Sequence, residues 1–248
     1  MSSFEWCAPP QRIALAGSAV HVWRAALNLA EAQVAALGAT LNADEQARAA
    51  RLLIEDKRRA FVAARGILRD ILGRYLGLDP REVQFTYTAQ GKPELAAAQA
   101  DGLHFNLAHS GDLALVALAH GRPLGIDLER QRSVDTVDLL VERFFSPGER
   151  AAFGRLPPEH KPLAFLLGWT RKEAYLKARG EGLTLPLNQF EVTLSPGEPP
   201  ALVADWHSPP SSTPWVLLDI EAGPGYVAAL AVPGPVGELA AWQWSASG

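Results

Sequence analysis

Apolar residues recur with two different periods along this chain, and the change of period marks its elements. Ala19–Leu27 (AVHVWRAAL) is rich in β-branched and aromatic residues and predicts a strand. Asn42 and Glu45 then stand at capping-box spacing, which predicts a helix start. Across Asp56–Leu78 the apolar residues Phe61, Ile67, Leu68, Ile71, Leu72 and Tyr75 fall at helical spacing. Val83–Thr88, Leu113–Ala119 and Leu124–Arg130 read as strands, with Ala89–Leu95 and Phe105–Asp112 as the connections.

The plan then restarts. Ser146 at an N-cap, Pro147 at N1 and Glu149 at N3 open a second helix, and Lys161–Gly180 is a longer helical stretch. Phe190–Leu194, Trp215–Ala222 and Tyr226–Val232 are strand-like and separated by Pro- and Gly-rich turns. A shift of 104 residues places Val22 on Ile126, Asn42 on Ser146, Glu45 on Glu149, Leu52 on Leu156 and Phe61 on Phe165. These matches predict an internal duplication whose halves meet near Gly121–Leu124. The expected fold class is α+β, two similar subdomains related by a pseudo-twofold axis, 1–122 and 123–248. In the same superposition Asp127 falls on Trp23 and Glu173 on Arg69, so the acidic residues of the second half have no acidic counterpart in the first.

Composition narrows the function classes. A chain of 248 residues is long enough to bury a core as one large domain or two small ones. The formal charge of −4 argues against a broad nucleic-acid surface, although it leaves room for a local basic site. A single cysteine, Cys7, forms no intramolecular disulfide, which favours a reducing compartment. The first residues carry no basic-then-apolar signal, and no apolar run spans a bilayer. A cytoplasmic location without membrane association is expected.

Two stretches carry chemistry. On a strand, Asp127 and Glu129 of Gly125–Arg130 share one face while Ile126 and Leu128 share the other. Adjacent carboxylates repel, and a hard divalent cation such as Mg²⁺ relieves the repulsion. Pairing with Arg130 or Arg132 at a solvated strand end is the plain alternative. On the long second-half helix Trp169, Glu173 and Lys177 recur at every fourth position and form one stripe. Alone, Glu173 and Lys177 are compatible with an ordinary surface helix pair.

Together, GIDLER (125–130) and WTRKEAYLKARGEGL (169–183) resemble the two-part signature of the 4′-phosphopantetheinyl transferases, in the larger class with two similar halves in one chain. The positions that match are Gly125, Asp127 and Glu129, then Trp169, Lys172, Glu173, Ala174, Lys177, Gly180, Gly182 and Leu183. Gly91–Leu95, Phe105–Asp112 and Phe145–Glu149 resemble further stretches of the family, so the likeness runs from about Asp56 to Leu187.

The resemblance implies transfer of the 4′-phosphopantetheine arm of coenzyme A to a serine of an acyl or peptidyl carrier protein, releasing adenosine 3′,5′-bisphosphate. It implies Mg²⁺ held by Asp127, Glu129 and Glu173, with Glu173 or Lys177 taking part in proton transfer and Lys177 contacting phosphate. It implies coenzyme A contacts from His109 and Lys92, and a monomer. The basic run Lys57, Arg58 and Arg59, with Arg65, is a candidate receptor for the 3′-phosphate. Trp169 is expected to pack the helix against the neighbouring strand. Ala108 stands where many members carry Ser, which removes one hydroxyl beside His109. A non-catalytic relative that grips carrier domains or coenzyme A, and a Mg²⁺-dependent phosphohydrolase, are the alternatives.

Overall fold

The computed structural model describes residues 5–132, 136–180, 185–207 and 213–246, so Gly182 and Leu183 of the helical motif lie outside the described residues. Strand β1 (Val20–Ala26) leads into helices α1 (Glu31–Gly38), α2 (Ala43–Ala50) and α3 (Glu55–Leu76). A short hairpin, β2 (Phe85–Tyr87) and β3 (Pro93–Leu95), helix α4 (Ala97–Ala100) and a long hairpin, β4 (Leu103–Ser110) and β5 (Leu113–His120), complete the first half. The second half repeats the order with β6 (Gly125–Arg130), α5 (Val137–Phe144), α6 (Pro147–Gly154) and α7 (Lys161–Arg179). The strands β7 (Phe190–Val192), β8 (Leu202–Asp205), β9 (Trp215–Asp219) and β10 (Tyr226–Pro233) follow, and β11 (Leu239–Gln243) ends it.

Strand pairing repeats as well. β1 pairs antiparallel with β5 and β5 with β4, and β6 pairs antiparallel with β10 and β10 with β9. The fold is α+β, as strands interspersed with long helices predict, and its order of elements and strand pairings recurs between the halves. β11 departs from the repeat, because it pairs parallel with β1 and so adds the end of the chain to the first sheet.

Side-chain alternation builds the layers. Val20 and Val22 of β1 and Leu115 and Ala117 of β5 meet Ile126 and Leu128 of β6 and Leu230 of β10 in a core between the sheets. Trp23 and Val116, facing the other way, pack on Ile67, Leu68, Ile71 and Leu72 of α3. Ala229 and Ala231 of β10 likewise face Ala174, Tyr175 and Ala178 of α7. The order is helix, sheet, sheet, helix. Asp127 and Glu129 therefore lie on the α7 side of β6, the face opposite Ile126 and Leu128.

The first-half connection expected at Phe105–Asp112 is largely strand. Leu103–Ser110 pairs with β5 throughout, because its apolar residues fit the pleat and the turn is left to Gly111 and Asp112. Likewise Pro93–Leu95, read as a connection, forms β3.

The helical register needs one correction. Both capping boxes are formed, by Asn42 with Glu45 and by Ser146 with Glu149, at the expected shift of 104. Each long helix ends on a left-handed glycine, Gly77 (φ 67°) and Gly180 (φ 71°), and these are 103 apart. The buried ion pairs agree, since Glu45 binds Arg69 while Glu149 binds Lys172. Within the helices, then, Glu173 corresponds to Asp70 rather than to Arg69, and Lys177 to Arg74. An acid does stand opposite Glu173 in the first half. It is consumed by Arg74 (2.7 Å) and the Trp244 indole N–H (2.7 Å), and Trp23 occupies the strand position of Asp127.

Candidate active site

The site forms where β6 runs against α7. Gly125 makes this approach possible, because a Cβ there would collide with the Ala174 carbonyl oxygen and the Ala178 nitrogen. From this strand Asp127 meets α7, and Lys177 Nζ donates to Asp127 Oδ1 at 2.6 Å and to the Ile126 carbonyl at 3.2 Å. The other Asp127 oxygen, Oδ2, is buried without a hydrogen-bond partner among the described residues. Ser110 Oγ donates to Glu129 Oε2 at 3.1 Å and accepts from the Arg130 amide at 3.1 Å. The Ile126 amide donates to Asn106 Oδ1 at 2.8 Å. These contacts stitch β4 of the first half to β6 of the second.

The carboxylates share one field. Burial first, and then Asp127, push the Glu173 carboxyl above the usual range, with Glu129 adding to the effect and Lys177 opposing it. Glu129 is raised in the same way, by burial and then by Asp127. A buried unpaired oxygen and two raised carboxyls are the signs of a site short of positive charge, and they fit a hard divalent cation. As placed, however, the three side chains do not form a ligand set. Among the described residues no group of three or more His, Cys, Asp or Glu is arranged to hold a metal ion. Asp127 and Glu129 each give an oxygen to another partner.

Two adjoining clefts open on this point and share Gly91, Pro93, Asn106, Leu107 and Lys177. One, of about 300 Å³, is lined by Lys92, Glu173, Leu176 and Gly180. The other, of about 280 Å³, is lined by Arg48, Phe61, Arg65, Ala108 and His109. Arg65 is buried among the rings of Phe61, Phe85 and Tyr87, and its Nη1 has no hydrogen-bond partner among the described residues. His109, near the end of β4, has an exposed edge in a concave, cationic surround. Burial, Lys177 and Arg65 all depress its pKa and favour the neutral ring.

Glu173, Lys177, Asp127, Arg65 and His109 are thus gathered in one place. Lys92 borders the site, but its ammonium donates to the Lys177 carbonyl at 2.7 Å, tying the β2–β3 hairpin to the last turn of α7. Arg58 is not brought in. It lies in the first turn of α3, half-exposed and paired with Glu55. Trp169 packs against Phe144 of α5 and Phe165 of its own helix (ring centroids 5.8 Å each) and lines neither cleft.

Arg48 was not legible as a site residue. It is one basic residue in the last turn of α2, and only the fold sets it over Phe61 at 5.5 Å. Nor does the sequence show that Asn106 joins the two halves. Its one signal is a polar residue between the apolar Phe105 and Leu107.

Carboxylates beside an amine, bordered by a buried arginine and a histidine whose pKa is depressed, are groups that can meet phosphate oxygens and move a proton. The family model described as "4'-phosphopantetheinyl transferase superfamily" matches residues 123–231, and "4'-phosphopantetheinyl transferase, N-terminal" matches residues 26–121. The 4'-phosphopantetheinyl transferase HetI of Nostoc sp. is 43% identical over 235 residues, 94% of this chain and 96% of its own. The 4'-phosphopantetheinyl transferase Sfp of Bacillus subtilis is 29% identical over 68% of this chain and 71% of its own. A looser structural likeness, TM-score 0.34 and 21% identity, relates 45% of this chain to 62% of the holo-[acyl-carrier-protein] synthase of Thermotoga maritima. The chain belongs to the 4′-phosphopantetheinyl transferase superfamily, in its larger class of two similar halves.

Proposed function

We propose that this cleft moves the 4′-phosphopantetheine arm of coenzyme A onto a serine hydroxyl of an acyl or peptidyl carrier protein, converting apo to holo carrier. The convergence of Asp127, Glu173 and Lys177 beside the Arg65–His109 cleft is the observation that carries this reading of the site. The serine oxygen bonds to the phosphorus that bears pantetheine. The pyrophosphate P–O bond breaks, and adenosine 3′,5′-bisphosphate leaves.

Glu173 accepts the serine proton, directly or through water, since a raised carboxyl is closer in basicity to the proton it must take. Lys177 holds Asp127 and offers its remaining donor capacity to phosphate oxygens. His109 donates to a phosphate oxygen, and Arg65, helped by Arg48, receives the 3′-phosphate. Asp127, Glu129 and Glu173 would hold Mg²⁺, which supplies charge stabilisation on the pyrophosphate oxygens when bound. Lys92 acts chiefly through its tie to α7.

In this reading residues 1–122 supply most cofactor contacts and 123–248 supply the metal and proton-transfer groups, with β11 lent back to the first sheet. The protein works as a monomer, because the second half of one chain stands where a second subunit otherwise would. Its proposed location is the cytoplasm, away from membranes and nucleic acid. Among the described residues no helix is long and apolar enough to cross a membrane.

The test is incubation with coenzyme A and an apo carrier across a Mg²⁺ series. Mg²⁺-dependent formation of holo carrier is expected. Cofactor binding without transfer would make the protein a non-catalytic binder. Coenzyme A cleavage without a carrier adduct would make it a hydrolase.

A further inference from the structure

The two long helices are braced by the same device. Glu45 and Glu149 occupy the same position, N3 of a capping box, and each is 1% exposed. Each also binds a buried cation on the long helix of its own half, Arg69 or Lys172. A helix-capping acid needs only its N-cap partner. Burying it against a cation as well is costly unless all its lone pairs are used, so the second contact calls for a reason.

On the second-half side the node is saturated. Glu149 accepts from Lys172 Nζ with both oxygens (2.6 and 2.8 Å), from the Ser146 amide (2.7 Å) and from the Val192 amide (2.8 Å). Lys172 gives its remaining proton to the Phe190 carbonyl at 2.7 Å and lies 4.3 Å from the centre of the Phe190 ring. One node therefore fixes α6, β7 and the middle of α7. The residue after Lys172 is Glu173, and Lys177 follows one turn on. Lys172 is fully buried and lines neither cleft, so it works through the helix and not on the substrate.

On the first-half side the node is open. Glu45 Oε2 accepts from Arg69 Nε at 2.7 Å, and Arg69 Nη1 donates to the Pro80 and Val83 carbonyls. Glu45 Oε1 faces Arg65 Nε at 3.8 Å, and Arg65 is the arginine that lines the His109 cleft. Glu45 Oε1, Arg65 Nη1 and Arg69 Nη2 are buried without a hydrogen-bond partner among the described residues. The saturated node matches a helix that must hold reacting groups still, and the open one a cation left with spare donors for a ligand.

We propose that Glu45 and Glu149 are paired positioning residues with divided tasks, Glu45 setting Arg65 against the cofactor and Glu149, through Lys172, setting the helix that carries Glu173 and Lys177. This rests on the reading of Arg65 as a phosphate contact and of Glu173 as a reacting group. The division predicts opposite kinetic signatures from equivalent substitutions, which a uniform loss of folded protein does not produce.

Steady-state transfer, with coenzyme A varied at saturating Mg²⁺ and apo carrier, reads them out. Glu149→Gln is expected to lower kcat about 10- to 100-fold, as loss of a supporting shell does, with KM for coenzyme A nearly unchanged. Glu45→Gln is expected to raise KM about tenfold and leave kcat nearly unchanged. Where a single variant does not fold, Glu149→Leu with Lys172→Met, or Glu45→Leu with Arg69→Met, removes both charges and is expected to show the same split. Losses that track only the folded fraction in melting curves, or parental kinetics in the folded variants, would overturn the proposal. Arg65→Ala and Glu173→Gln serve as references. If they too leave KM and kcat at parental values, the reading of the site fails. If they shift while the glutamate variants do not, only the division of tasks fails.

Discussion

Lys177 Nζ stands 2.6 Å from Asp127 Oδ1, bridging α7 to the neighbouring strand, while the other Asp127 oxygen is buried without a hydrogen-bond partner among the described residues. The amine therefore neutralises part of the charge that a divalent cation would otherwise meet. Lys177→Met should cut turnover by about 100-fold or more if the amine serves both phosphate and proton transfer. It should also lower the Mg²⁺ concentration needed for half-maximal rate, because Asp127 loses a competitor. A higher Mg²⁺ requirement would place Lys177 among the groups that recruit the metal.

Glu173 ties stability to pH. Its carboxyl is raised in the folded state by burial and then by Asp127 and Glu129. A raised carboxyl contributes stability that is fully present below its unfolded pKa and is lost as pH rises through the folded one. Without Mg²⁺, Glu173→Gln should thus melt above the parent at neutral pH, and the gap should close as pH falls into the carboxylate range. Mg²⁺ should narrow the gap by stabilising the parent. Thermal melts from pH 5 to 8, with and without Mg²⁺, check both the sign and the window.

How much of this was legible beforehand depended on the range of the interaction. Ser146, Pro147 and Glu149 announced a helix start because caps are local, and Asp127 and Glu129 shared a face because strand alternation is local. The parallel pairing of β11 with β1 joins residues over 200 positions apart, and nothing near Leu239 signals its partner. The one-residue slip between Glu173 and Arg69 escaped because apolar helix faces tolerate either alignment. Only the cap glycines and buried ion pairs distinguish the two. Lys92 matched a motif, but a motif does not say that its amine also donates to the Lys177 carbonyl.

That distinction between Lys92 and Arg65 is testable with dephospho-coenzyme A. Arg65→Ala should erase most of the preference for coenzyme A, about tenfold or more for one charge-assisted phosphate contact. Lys92→Ala should retain the preference but melt lower, having lost a link between the halves. If Lys92→Ala erases the preference and melts normally, its amine belongs to the phosphate site.

His109 should make cofactor binding pH-dependent. Burial, Lys177 and Arg65 depress its pKa in the free protein, and a bound phosphate would oppose that depression. Coenzyme A should therefore bind more tightly, with proton uptake, as pH falls from 8 toward 6. His109→Ala should bind weakly at every pH, yet melt near the parent. Calorimetric titration in buffers of different ionisation enthalpy measures the uptake. An identical pH slope in both proteins would make the histidine structural.

Gly125 sets the distance on which the site depends. Gly125→Ala would push β6 away from the Ala174 and Ala178 backbone, which is not free to yield. Overpacking of this kind costs about 1–3 kcal/mol, and here it should also abolish transfer by separating Asp127 from Lys177. A variant that melts lower but turns over normally would show that the close approach serves stability alone.

The most direct measurement is the intact mass of an apo carrier after incubation with coenzyme A, Mg²⁺ and either the parent protein, Asp127→Ala or Glu173→Gln. With the parent, the carrier should gain one phosphopantetheine at its serine and should fail to do so when Mg²⁺ is chelated. With either variant, folded as judged by melting, the carrier should stay almost wholly apo. Near-parental conversion by both folded variants would contradict the assignment of the reaction to these carboxylates.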